Sequence, residues 1–255
     1  MRLSRSMLVS LVLGLVFVAA SVKATQLTPG TGPTNPDTFP VGATCIMAGG
    51  LCLYSVPSLD TQGTRLGLKT GNTFSIFNAQ TPGTAVATGV FLMEATADPS
   101  NVFCANCVDL FLQVENDPTS TAKLTRVELS GFTGFLADVG FDGPSVNGAG
   151  ECGPADAGYC GSIVPDSVDR LTADAIGFTF STNGGIAPGA ATPTLVIETN
   201  ASGVHDPAGL SITASDGSIV HALGGIFVPA PEPSTVSMLG AGLLGLLGLR
   251  KRGLA

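Results

Sequence analysis

The chain reads as an all-β protein, an antiparallel β-sandwich of jelly-roll or immunoglobulin-like build flanked by an N-terminal signal peptide and a short C-terminal transmembrane helix. Three observations predict the sandwich. With 34 Gly and 17 Pro in 255 residues and only 12 % charged residues, the composition favours turns and strands over long helices. Short segments of alternating apolar and polar residues recur between turn signals such as Asp142-Gly143, Asn183-Gly184-Gly185 and Asp216-Gly217, as expected of a sandwich. No segment of helix length carries a 3.6-residue apolar period, and no strict repeat marks collagen or a solenoid.

In chain order, residues 1–24 come first. Arg2 and Arg5 precede an apolar run from Met7 to Ala20, and the small-residue site Val22-Lys23-Ala24 follows. That is the build of a cleavable secretory signal peptide, with cleavage expected after Ala24. A buried N-terminal helix would instead need a polar stripe, which Met7 to Ala20 lacks. Residues 25–44, rich in Gly and Pro from Thr28 to Pro40, read as an irregular arm. Residues 45–229 are the sandwich, a length that suffices for one domain.

Within it, Val108, Leu110, Leu112 and Val114 alternate with Asp109, Phe111, Gln113 and Glu115, which reads as a half-buried strand. The same alternation appears at Thr73 to Phe77, Arg126 to Leu129 and Ile176 to Ser181. Apolar runs at Ala85 to Met93 and Leu195 to Ile197 look like central strands, and Ile212 and Ile219 to Leu223 add two more.

Six cysteines in an exported chain form an even set that oxidation can pair. They fall into close pairs, Cys45 with Cys52, Cys104 with Cys107, and Cys152 with Cys160. Fifteen connectivities exist, and the local one is favoured because each pair spans a segment rich in small or turn-forming residues. Each bridge adds about 2 to 3 kcal/mol by restraining a short loop. A redox role for Cys104-Ala105-Asn106-Cys107 would want a neighbouring positive charge, whereas Asp109 is nearby and no Lys or Arg lies within ten residues. A zinc site would want a second such pair or two close histidines.

Motifs for chemistry are missing. The two histidines, His205 and His221, belong to no HExxH pattern and no GxSxG elbow is present. His221 reads as a strand residue and His205 as a turn residue, so no catalytic residue is assigned and the chain is expected not to be an enzyme. No cofactor or metal ligand set is assigned either. Calcium is allowed, because a loop site built from backbone carbonyls leaves no trace in sequence. Its carboxylate candidates are Asp138 and Asp142 across one turn, Asp166 and Asp169 across another, and Asp98 approaching Asp117. Sugar stacking prefers Trp and Tyr, and the chain has no Trp and only Tyr54 and Tyr159.

Residues 230–255 are unlike the rest. Pro231-Glu232-Pro233-Ser234 leads into an apolar segment, Thr235 to Leu249, that stops at Arg250, Lys251 and Arg252. Those basic residues should stay on the cytoplasmic side. Fifteen residues at about 1.5 Å each reach roughly 22 Å, short of a hydrocarbon core near 30 Å, and Gly240, Gly242, Gly245 and Gly248 weaken the helix further. Transient arrest in the membrane suits it better than a permanent span.

This order of parts resembles the PEP-CTERM sorting signal. The resemblance implies an exosortase partner in the cytoplasmic membrane that recognises the tail and processes the chain beside Pro231 to Ser234. It also implies a Gram-negative host that makes exopolysaccharide, with the protein passing through the cytoplasmic membrane to the outer envelope or extracellular matrix. Residues 165–229 are similar to the latter half of domains found upstream of such signals.

Loss of both ends would leave Arg65, Lys69, Lys123, Arg126 and Arg170 against all 19 acidic residues, a formal charge of −14 in place of −8. Such a surface repels nucleic acid and anionic membrane. The leading expectation is a non-catalytic envelope or matrix protein associated with exopolysaccharide or biofilm. The alternatives are a polysaccharide-binding module, with or without calcium, and an envelope hydrolase or redox protein.

Overall fold

Because Thr, Val, Ile and Phe alternate with small polar residues between Gly-rich turns, strands form wherever one face can be buried. A computed structural model describes residues 26–39, 44–48, 51–55, 63–99, 101–142, 161, 163–181, 184–206, 209–223 and 226–230. Their strands in chain order are β1 (Gln26–Leu27), β2 (Thr31–Thr34), β3 (Asp37–Phe39), β4 (Thr44–Ala48), β5 (Leu51–Ser55), β6 (Thr64–Phe77), β7 (Ala85–Asp98), β8 (Cys107–Asn116) and β9 (Leu124–Ser130). They continue with β10 (Ala137–Asp142), β11 (Ser167–Arg170), β12 (Ala175–Thr179), β13 (Leu195–Thr199), β14 (Gly203–His205), β15 (Gly209–Ala214), β16 (Ile219–Leu223) and β17 (Val228–Ala230). No helix occurs among the described residues, so none there is long and apolar enough to cross a membrane.

Two sheets carry the fold. The first has the order β1-β10-β13-β8-β7-β6, with β3 also on β10, and the second has the order β16-β15-β9-β12-β11-β2. Every pairing is antiparallel except that of β3 with β10. Hairpins β4-β5 and β14-β17 stand outside these orders.

The sheets face each other across one apolar core. Phe74, Phe91, Met93, Leu110, Leu112, Val139 and Ile197 come from the first sheet, and Val127, Leu129, Val168, Ile176, Phe178, Leu210 and Ile212 from the second. Edge strand β16 also lies against β6, closing one side.

Two sequence expectations need correction. Residues 25–44 are not an irregular arm throughout: β1 and β3 pair with β10, and β2 pairs with β11. The threonines there, Thr31, Thr34 and Thr38, fit a pleated edge even though Gly and Pro surround them. Strand β8 is not half-buried, since Asp109, Phe111 and Gln113 are as inaccessible as Val108, Leu110 and Leu112. The outer face of the first sheet is covered: Leu92, Phe111, Ala191 and Val196 form a second apolar cluster there. Strand β5 lies close to the central strands β7 and β8, whose sheet neighbours are already taken, so the β4-β5 hairpin crosses a face rather than extending an edge.

One glycine is required by packing. Gly89 of β7 sits opposite Phe74 of β6, and a Cβ there would come within 2.1 Å of the Glu115 carbonyl oxygen and 2.5 Å of the Phe74 ring. The ring covers the bare glycine across the strands, an aromatic-over-glycine pairing. Gly89→Ala should destabilise the protein by about 1–3 kcal/mol, seen as a lower urea midpoint with an unchanged slope. An unchanged midpoint would contradict this packing.

Candidate functional site

The described fold ends where the basic and apolar tail begins. Strand β17 pairs with β14 through Gly203 opposite Ala230, Val204 opposite Pro229 and His205 opposite Val228. Ile226 and Val228 are buried in the core, and the Phe227 ring rests on Gly67 of β6, where a Cβ would meet the ring at 2.2 Å. Lys69 Nζ stands 5.3 Å from the centre of that ring, a favourable cation–π placement, and donates to Asp206 at 2.8 Å. The segment leading to the tail is therefore clamped at several points.

Residues 229–252 match the model of the PEP-CTERM protein-sorting motif. The motif marks the chain as an exported, membrane-transiting protein sorted and processed by an exosortase. Neither the curated proteins nor the solved structures contain a significant match to the chain. The PEP-CTERM match begins inside β17, so the sorting signal starts on the last clamped strand of the sandwich. Pro231, Glu232, Pro233 and Ser234, the apolar segment 235–249 and Arg250, Lys251 and Arg252 lie outside the described residues, as does the cleavage site at Ala24.

Cys104 and Cys107 are disulfide-bonded. They close the turn between β7 and β8, where Asn106 adopts φ 66°, a left-handed conformation that Asn tolerates better than most residues. Cys45 and Cys52 lie on the paired strands β4 and β5, opposite Tyr54 and Met47 respectively. Their side chains, and the whole of Cys152 and Cys160, fall outside the described residues.

The outer face of the second sheet bears one polar row. Register places His221, Ser211, Glu128, Gly177 and Asp169 side by side on β16, β15, β9, β12 and β11. Arg126 lies over Gly177, where a Cβ would come within 1.9 Å of its Nη2. Its Nη1 donates to Asp169 Oδ2 at 2.6 Å and to Thr179 Oγ1 at 3.1 Å. Its Nη2 donates to Asp169 Oδ1 and Glu128 Oε2, both at 2.8 Å. The bidentate bond to Asp169 and the contact with Glu128 hold the guanidinium more firmly protonated than usual. Ser211 Oγ and His221 Nδ1 are 2.7 Å apart on the exposed end of the row. Glu128 stands beside Ser211 rather than behind His221, so the order is not that of a nucleophile, base and orienting acid.

The outer face of the first sheet bears the other row. Gln26, Asp138, Glu198, Asp109, Thr96 and Arg65 are successive rungs on β1, β10, β13, β8, β7 and β6. Asp98 is two residues along β7 from Thr96. Asp98, Asp109, Asp138 and Glu198 are 4 %, 2 %, 3 % and 8 % exposed, so four acidic side chains share one covered patch. Burial first, then the Glu198 charge and a hydrogen bond to Asp98, push the Asp109 carboxyl up to about 9. Burial, reinforced by the charges of Asp138 and Asp98, pushes Glu198 up to about 7.

None of the carboxylate pairs named from sequence is assembled as expected. Asp138 and Asp142 lie on one strand, β10, rather than across a turn. Asp169 is within β11, and Asp98 and Asp117 stand at opposite ends of the β7-β8 pair. Among the described residues no group of three or more His, Cys, Asp or Glu side chains is arranged to hold a metal ion. The acidic row escaped sequence reading because Asp109, Asp138 and Glu198 are remote in the chain, and only strand register makes them neighbours. The one local signal was Asp109 on the polar side of an alternating strand.

Proposed function

We propose that this protein is a non-catalytic component of the outer envelope or extracellular matrix, associated with exopolysaccharide or biofilm. In this reading a β-sandwich of jelly-roll or immunoglobulin-like type is exported behind its signal peptide and held in the cytoplasmic membrane by residues 235–249. An exosortase then cuts the chain beside Pro231 to Ser234. The sorting motif at residues 229–252 is the observation that carries the reading. The sandwich supports it in a plain way: on the outer face of the second sheet the Arg126 guanidinium is held by Asp169, Thr179 and Glu128, which is how a structural surface is built.

Intact mass spectrometry of the protein from its native host tests the processing. The expected mature form begins after Ala24, ends near Pro231 to Ser234 and loses its bridges on reduction. Deleting the exosortase should leave a species that keeps Arg250 to Ala255. A wild-type mature form retaining those residues would overturn the proposal.

A second reading rests on the partly exposed row His221, Ser211, Glu128 and Arg126, whose donors and acceptors could meet the hydroxyl groups of a polysaccharide, with or without calcium. Pull-down on the host's purified exopolysaccharide, with and without chelator, separates the two. Retention that is lost in Glu128→Ala would favour the binding module, and no retention in either condition would reject it. A hydrolase or redox role is the third reading. It fails if His205→Ala, His221→Ala and Cys104→Ser each fully complement a knockout.

A further inference from the structure

We propose that Asp98, Asp109, Asp138 and Glu198 form a proton-sharing carboxyl cluster that latches the loop segment 101–106 onto the outer face of the first sheet and releases it as the surroundings turn alkaline. The loop is tied to the acids themselves. Asn101 Nδ2 donates to Asp109 Oδ1 at 2.6 Å and to the Thr199 carbonyl at 3.1 Å, and the Val102 amide donates to Glu198. Asn106 N closes the loop on the Asp98 carbonyl at 2.7 Å, and the Cys104–Cys107 bond fixes its far end.

Four carboxylates cannot all be charged in so covered a patch, because desolvation and mutual repulsion penalise every charge after the first. The Asp98–Asp109 hydrogen bond joins two carboxyl groups and exists only while one of them carries a proton. One oxygen of Glu198, Oε2, is buried without a hydrogen-bond partner, the expected cost of a crowded acid.

Among the described residues, the charged groups that face the cluster are few. From β7 comes Glu94, from β10 Asp138 and from β13 Glu198. From β6 comes Arg65, whose Nε is held by Glu94 at 2.5 Å. Residues 101–106 contribute neutral groups only.

The sign of the pH effect follows. Asp109 and Glu198 keep protons in the folded chain that the unfolded chain gives up at ordinary carboxylate pH. The folded state therefore binds more protons over that interval, and stability falls as pH rises towards about 7 for Glu198 and about 9 for Asp109.

Hydrogen exchange on the full chain in detergent tests the latch, with rates corrected for the intrinsic dependence on pH. Peptides covering 101–106 should lose at least about tenfold protection between pH 5.5 and 8.5, while those covering β9 and β15 stay unchanged. Asp109→Asn, which stays neutral at both values, should hold the loop closed. The carbon resonance of the Asp109 carboxyl in the unmutated chain, expected to titrate above pH 7, gives a readout that needs no variant to fold. Three results would overturn the proposal. They are equal loop protection at both pH values, an Asp109 carboxyl that titrates below pH 5, and millimolar calcium restoring protection at pH 8.5 in the wild type but not in Glu198→Gln, which would make the patch a cation site.

Discussion

Arg170→Ala should cost at least about 3 kcal/mol of stability, a large share of the 5–15 kcal/mol that holds a domain together. The Arg170 side chain is fully buried on the core side of β11. Its Nη1 donates to the carbonyls of Leu27 and Phe135 at 3.2 and 2.9 Å, and its Nη2 to those of Phe132 and Ala173 at 2.7 and 2.8 Å. One guanidinium thus joins β11 of the second sheet to β1 of the first and to the turn between β9 and β10. Burial lowers its pKa, opposed by Asp174, but a guanidinium stays charged in proteins. Truncation leaves up to four carbonyls without their donor, and each buried acceptor so abandoned costs about 1–3 kcal/mol. Arg170→Lys should recover only part, because a single ammonium cannot reproduce the planar fork. Arg170→Met separates bonding from volume: wild-type stability in that variant, measured by chemical denaturation, would show that filling space is all the residue does.

Phe178→Ala should be comparably severe, about 3–5 kcal/mol. Phe178 is fully buried on β12, flanked on its own sheet by Val127 of β9 and Val168 of β11. It belongs to the cluster that joins both sheets. Removing the ring opens a void that strands tied on both edges cannot collapse to fill. For a domain of this size that corresponds to a melting temperature lower by roughly 10 °C. A fall under about 1 kcal/mol would mean that the surrounding strands repack freely.

The sandwich was legible where local pattern carries the signal. Alternation at Arg126 to Leu129 and Ile176 to Ser181 became β9 and β12, and the run Ala85 to Met93 became most of the long strand β7. What stayed hidden depends on partners far along the chain. Nothing near Asp109 announces that its outer face is covered, because the cover comes from residues remote in sequence. The Gly- and Pro-rich stretch after Ala24 looks structureless by composition, yet β1, β2 and β3 find open edges on β10 and β11. Arg170 resembled any surface cation, since five basic residues spread along an acidic domain give no hint that one is interred. The sorting motif was readable for the opposite reason, as its parts are contiguous and need no fold to be recognised.

The clamp on β17 sets a distance. Ala230 is tied to β14, and only Pro231 to Ser234 separate it from the apolar segment that begins at Thr235. Four residues fully stretched span no more than about 14 Å. If that segment is arrested in the bilayer as proposed, the folded sandwich has to ride close to the lipid surface, with its β14-β17 corner nearest the membrane. In that proposed state a bulky soluble protease has little room to enter such a gap, so a cut beside Pro231 to Ser234 would be open mainly to an enzyme approaching from within the membrane plane.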